Sequence, residues 1–323
     1  MTPDELIRQY EQGERDFSRL ELSRIDLIQV NLIQVNLSRV ALDWANLSGI
    51  DLSGCNLCHA DLNNAKLIGA KLIGVDLSYA DLTKADLSWV NLGGAMLTHA
   101  NLTQAKLNKT FLANTDFSYA NLRGANLSGA NLTGANFTRA DLSDANLTGV
   151  NLSGAELVNA DLSDADLRGA DLMQANLRRA DLNNCNLNSA NLTEVVLEFA
   201  NLSKANLRGA NFSGAVLHSG KVSRLTFVAI SNFSLIATEE ISRINMNGAN
   251  LREANLSEVN LQQADLSYAR LHRTHLKQAN LQSANMSEAH LKSADLQKAN
   301  MTNSILNGIN FTETIMPDGS VHL

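Results

Sequence analysis

The sequence predicts an all-β solenoid, a four-sided helix of short coils wound around a filled axis. Three observations carry this. Every fifth residue from Phe17 to Leu217 is Leu or Phe. Two places earlier, from Leu20 to Ala215, stands Ala, Val, Ile, Leu, Cys or Thr and nothing charged. The chain is 45% hydrophobic but only 5% aromatic, too few rings for an ordinary globular core of 323 residues. A period of five fits neither the helical repeat of about 3.6 nor the strand repeat of about 2. A chain that turns a corner every five residues and closes after four pentads points both apolar residues inward. Its coils then stack at the strand spacing of about 4.8 Å.

Each slot of the pentad has a reason. The central Leu fills the axis and the small residue fills the corner beside it. A Phe replaces Leu only where the neighbouring coil leaves room. Asn or Asp usually precedes the Leu, and its side chain suits loose backbone groups at a turn. Gly occupies the last slot in 15 of 19 cases, which places turns there. Pro3 and Pro317 stand outside the array, as they should, because Pro removes a donor from an intercoil ladder. A second array runs from Met246 to Phe311, where every fifth residue is Leu, Met or Phe. Its frame is offset, since Phe227 and Met246 are 19 residues apart. Residues 228–243 are therefore either a slipped coil burying Ile230, Phe233, Ile236 and Ile241 or an extruded loop; the density of apolar residues favours the slipped coil. Residues 15–316 form one domain of about 14 coils.

Units such as Ala125-Asn126-Leu127-Ser128-Gly129 resemble the pentapeptide-repeat family, and the resemblance runs over nearly the whole chain. It implies a right-handed quadrilateral β-helix. The ends are legible too. Thr2 stands at a helix N-cap, Pro3 at the first helical position and Glu5 three residues after Thr2, a capping-box pattern. With Leu6, Ile7 and Tyr10 as an apolar stripe and Gly13 as a stop, residues 1–14 are expected to cap the first coil with a helix over about 3–12. Ile315-Met316-Pro317-Asp318-Gly319 reads as a turn after the last coil, with 317–323 as a tail. Both ends resemble those of cyanobacterial members, including a heterocyst regulator.

Composition excludes several classes. No apolar run spans a membrane, and three Cys make no disulfide scaffold. The N-terminus has no secretory pattern, so the expected compartment is the cytoplasm. A net charge of −7 argues against a nucleic-acid binder. A filled solenoid offers no cleft for catalysis. In Cys55-x-x-Cys58-His59 the two thiols fall in inward and outward slots and diverge, so neither metal nor cofactor is expected.

Function is then sought in the columns formed by residues 20 apart. His59, Tyr79, His99, Tyr119 and Arg139 share one outward column, joined by Phe199 further on, with Met96, Val196 and Val216 as exposed apolar residues on the same face. This is the candidate partner surface. Asp141, Asp161 and Asp181 form an acidic column with Asp144 and Asp164 beside it, where stacked like charges should repel. Arg270, His272, Arg273, His275, Lys277, His290 and Lys292 form a basic patch suited to an anion or an acidic partner. The function expected is a non-catalytic protein-interaction scaffold. Its partner is a protein, it contacts neither nucleic acid nor membrane directly, and it is a monomer or weak oligomer. The family resemblance implies regulation in differentiation or stress. Because some members mimic DNA and bind DNA gyrase, the alternative is a DNA-mimicking binder of a topoisomerase. Lys66, Lys71, Lys84, Lys106 and Lys109 interrupt the continuous acidic surface that a mimic requires.

Overall fold

The computed structural model describes residues 1–212, 215 and 244–322. Asn126–Ala130 shows why the five-residue unit folds as it does. The Asn126 N–H donates to Ala105 O at 2.9 Å in the coil before, and the Leu127 N–H to Asn146 O at 2.8 Å in the coil after. The Gly129 N–H reaches Thr148 O at 3.0 Å, and the Ala130 N–H closes the turn on Leu127 O at 3.0 Å. That leaves Ser128, whose N–H donates to the Asn126 side-chain oxygen at 3.1 Å. Every backbone donor of the pentad is satisfied, as a buried backbone requires. The Asn/Asp slot thus supplies the one acceptor that the backbone cannot.

The turn demands a positive φ at its third position, as type II turns do. Gly129 has φ +65°. The same slot holds Arg, His, Tyr, Trp and Lys elsewhere at nearly the same angle, as in His59 at +59° and Trp89 at +64°. Glycine is favoured there, but ladder bonds on both sides hold other residues in the left-handed region.

Parallel pairing at 20-residue spacing links the coils on four faces. The first face carries residues 16–19 and their equivalents, the second 21–24, the third 26–29 and the fourth 31–34. On the second face one unbroken column of described residues runs from Glu21 to Ile305. It crosses from the first array to the second directly: Asn201 pairs with Asn245, Asn206 with Asn250 and Asn211 with Asn255. Residues 228–243, for which a slipped coil was favoured, lie outside the described residues.

The axis is filled as expected, with Leu107, Leu127 and Leu147 all fully buried. Polar residues in the small slot are satisfied across the stack. The hydroxyls of Thr115, Thr274 and Thr314 donate to the carbonyls of Leu92, Leu251 and Leu291 at 2.9, 2.7 and 2.8 Å. The room that an axial Phe needs can be supplied by another Phe. Phe117 and Phe137 occupy the same slot in adjacent coils, with ring centres 4.8 Å apart and planes 2° from parallel. A Phe therefore does not need a smaller neighbour above it; a second Phe at the coil spacing stacks flat.

The N-terminal helix α1 spans Pro3–Glu11. The Thr2 hydroxyl accepts from the Glu5 N–H at 3.3 Å, and Leu6 is completely buried against the first coil. At the C-terminal end the expected turn is present, but the residues after it pair back on the last coil rather than trailing as a tail. Strand β1 (Thr314–Ile315) pairs antiparallel with β2 (Val321–His322). The turn is at Pro317–Gly319, with Gly319 at φ +87°, and the Ser320 N–H donates to the Asp318 carboxylate at 2.9 Å. The returning strand covers only part of the last coil. The His322 ring lies 5.8 Å from that of Phe311, while Ile305 and Leu306 remain exposed.

Candidate functional site

The predicted aromatic column is assembled as a continuous stack. Ring centres are 5.0 Å apart from His59 to Tyr79, 4.8 Å from Tyr79 to His99 and 4.9 Å from His99 to Tyr119, with planes 7–17° from parallel. The Arg139 guanidinium carbon closes one end, 5.7 Å from the Tyr119 ring centre. Arg39 stands in the same exposed slot one coil before His59; the 20-residue spacing pointed to it, and sequence reading missed it. Farther along, Phe199 sits beneath a cation in the same way, with Arg179 5.1 Å and Arg178 5.9 Å from its ring centre.

All these rings occupy the positive-φ slot. A left-handed backbone costs an L-residue roughly 1–2 kcal/mol, and a stacked aromatic pair gains about 0.5–1.5 kcal/mol. The two are similar in size, so stacking offsets the backbone cost but adds little beyond what a glycine pentad achieves. What remains distinctive is the exposed edge: Tyr79 is 52% and Tyr119 48% exposed. Met96, 46% exposed, lies on the same face and offers no side-chain oxygen to the Thr98 N–H. Val196 is half-buried rather than exposed. Val216 lies outside the described residues. A second cation–ring pair on the third face, Lys109 over Trp89 at 4.7 Å, was not singled out from sequence, although the two residues are one coil apart.

The acidic residues stack in one column of the second face, Asp141 paired to Asp161 and Asp161 to Asp181. Asp141, Asp161 and Asp181 are half-buried, and each accepts a backbone N–H, from Ser143, Ser163 and Asn183, at 2.9 Å. Each serves its turn in the role of Asn126. Asp144 and Asp164 are exposed. Asp144 pairs with Arg123 at 3.2 Å, and Asp164 accepts from the Asn184 side chain.

The basic patch divides between two faces. Arg270, His272, Arg273, His290 and Lys292 lie on the third face, His275 and Lys277 on the fourth, where Lys277 pairs with Asp295 at 3.3 Å. On the third face Arg252, His272, Arg273, Lys292, Ser293 and Glu313 line a groove. Arg252, 20 residues before His272, was missed by the sequence reading. The rings of His272 and His290 are 6.0 Å apart, and the His272 Nδ1 is buried without a hydrogen-bond partner. Burial, followed by the positive field of Arg252, His290, Lys292 and Arg270, holds the His272 pKa below its ordinary value.

Cys55 is buried, with its sulfur 2.9 Å from Leu32 O; Cys58 is half-buried and Cys185 buried. Among the described residues no group of three or more His, Cys, Asp or Glu could hold a metal ion. None of the described helices is long and apolar enough to cross a membrane.

Paired coils at 20-residue spacing, five residues to a face, decide the family. The chain belongs to the pentapeptide-repeat family. The family model for pentapeptide repeats in eight copies matches overlapping segments that together run through 16–224 and 244–308. No curated protein matches the chain. Among solved pentapeptide-repeat structures, the chain is 28% identical to HetL, a protein involved in heterocyst differentiation regulation in the cyanobacterium Nostoc sp. strain PCC 7120. That match covers 100% of both chains with a TM-score of 0.21. It is 30% identical to a pentapeptide-repeat protein of the Arabidopsis thaliana thylakoid lumen, over 29% of this chain and 70% of that one, with a TM-score of 0.25. It is 17% identical to QnrB1, a plasmid-mediated fluoroquinolone resistance protein, over 87% of this chain and 92% of that one, with a TM-score of 0.24.

Proposed function

We propose that this pentapeptide-repeat protein is a non-catalytic, cytoplasmic scaffold with right-handed coils that binds a protein partner through its first face, between His59 and Arg139, in a regulatory role. The observation that carries the reading is the four-ring stack with a guanidinium at its end, exposed along one edge and flanked by Met96. Aromatic residues, Met and Arg are the types enriched at protein interfaces, and rings held in a stack have little side-chain entropy left to lose on binding. A regulatory role accords with what is stated of HetL. The DNA-mimic reading is weaker. It needs a continuous acidic face, whereas Lys71 and Lys106 interrupt the acidic surface and pair with Asp51 and Asp86 at 3.8 and 3.4 Å.

The test is a quantitative capture from the source cells, comparing the wild type with a Tyr79→Ser, His99→Ser, Tyr119→Ser variant. Binding of the recovered partner to both purified proteins follows. The variant should stay folded but melt somewhat lower, because Ser keeps the left-handed turn and loses the ring stack, and it should lose most of the affinity, since buried aromatic anchors cost about 2 kcal/mol or more each on truncation. Full affinity in the folded variant returns the column to a purely structural role.

A further inference from the structure

We propose that the third-face groove between Arg252 and Lys292 is a binding site for a phosphoryl oxyanion, with Glu313 as its internal competitor. Three successive coils each deliver basic side chains to one small area: Arg252 from the first, His272 and Arg273 from the second, Lys292 from the third. The acidic groups nearby are Glu253 and Glu313. Glu253 is engaged by Arg208 at 3.4 Å, so it does not neutralise Arg252 and Arg273 fully. Glu313 reaches into the groove itself, where its carboxylate accepts the Ser293 hydroxyl at 2.6 Å and lies 3.6 Å from the Lys292 ammonium. The protein thus already places one oxyanion among these cations, on an exposed side chain able to swing away.

The chemistry favours phosphate over a second carboxylate. Two guanidinium forks and an ammonium present more donors than one carboxylate can accept, and such forks match the oxygens of a phosphoryl group. His272 supplies the independent observation. Its Nδ1 is buried and unpartnered, a costly state for a polar atom, and the ring stands where Arg252, His290, Lys292 and Arg270 all repel a proton. A bound dianion would cancel that field and let His272 take a proton. The groove lies on the opposite side of the coil from the aromatic column and several coils farther along the stack, and does not depend on it.

The test follows the His272 ring by NMR while inorganic phosphate is added, and repeats the titration with O-phosphoserine in a short Gly/Ser peptide. Phosphate in the groove should raise the His272 pKa. Arg252→Ala with Arg273→Ala should weaken binding at least tenfold, as expected for charge-assisted hydrogen bonds. Glu313→Gln should tighten it severalfold, and Lys277→Ala, on the fourth face, should leave it unchanged. Tighter binding of the peptide assigns the site to a phosphorylated partner, and equal binding to free phosphate; both support the oxyanion site. A His272 pKa unmoved by millimolar phosphate, wild-type affinity in the double arginine variant, or an equal loss in Lys277→Ala overturns it.

Discussion

Replacing Leu127 with Ala removes a side chain that is fully buried between Leu107 and Leu147, the same slot one coil below and one coil above. The lost transfer free energy is about 2.4 kcal/mol, at about 0.8 kcal/mol for each methylene-sized group. A cavity term adds to this, because the site has little freedom to collapse. The Leu107 N–H bonds Asn126 O at 2.7 Å and the Leu127 N–H bonds Asn146 O at 2.8 Å, which holds the coil spacing on both sides. The total expected is about 3–5 kcal/mol, the upper part of the range for such truncations. Leu306 provides the internal comparison: it occupies a central slot in the last described coil and is 37% exposed. With about a third of its surface open and little packed above it to leave a closed cavity, Leu306→Ala should cost less, about 1.5 kcal/mol. Equilibrium urea unfolding measures both. Because repeat arrays depart from two-state behaviour, native-state hydrogen exchange at the amides of 126–130 should accompany it and show local opening in Leu127→Ala alone. Equal destabilisation by the two substitutions would refute the account of a filled axis whose packing is lost at the open end.

Two further outcomes are expected. Burial pushes the thiols of Cys55 and Cys185 up and shields them, while Cys58 is less buried; a thiol reagent near pH 8 should therefore label Cys58 alone in the native protein. Labelling that persists in Cys58→Ser without unfolding would contradict the inward placement of the other two. Burial alone would raise the Asp86 pKa, but the Ser88 hydroxyl and N–H and the Lys106 ammonium outweigh it and hold the carboxyl below its usual 3.8. A depressed pKa stabilises the fold above the unfolded value, and this is lost as pH falls. The stability difference between wild type and Asp86→Asn should therefore be present at neutral pH and shrink below about 3.8; a constant difference through acid would count against the carboxylate's role.

The one-dimensional character of the fold is why so much of it was legible in the sequence. A residue's surroundings in a solenoid are set by its own slot and by the positions 20 before and after it. Counting alone therefore placed Leu127 on the axis, Ala125 at a corner and His59, Tyr79, His99 and Tyr119 in one column. The cap at Thr2 and Pro3 is equally local, since its hydrogen bond spans three residues.

What only the tertiary structure decided depends on geometry across coils rather than on spacing. That Asp141, Asp161 and Asp181 also serve their turns is seen only once the Ser143, Ser163 and Asn183 N–H groups are found within their reach. Phe117 and Phe137 read as oversized until the coil spacing proves equal to a ring stack. Arg252 joins His272 and Lys292 in a groove, whereas Lys277, closer in sequence to His272, faces another side. The pairing of Asn201 with Asn245 was beyond counting too, because a frame shift destroys the period on which counting rests. The pentad's period determined which residues meet; side-chain hydrogen bonds, ring planes and the join between the arrays decided what they do there.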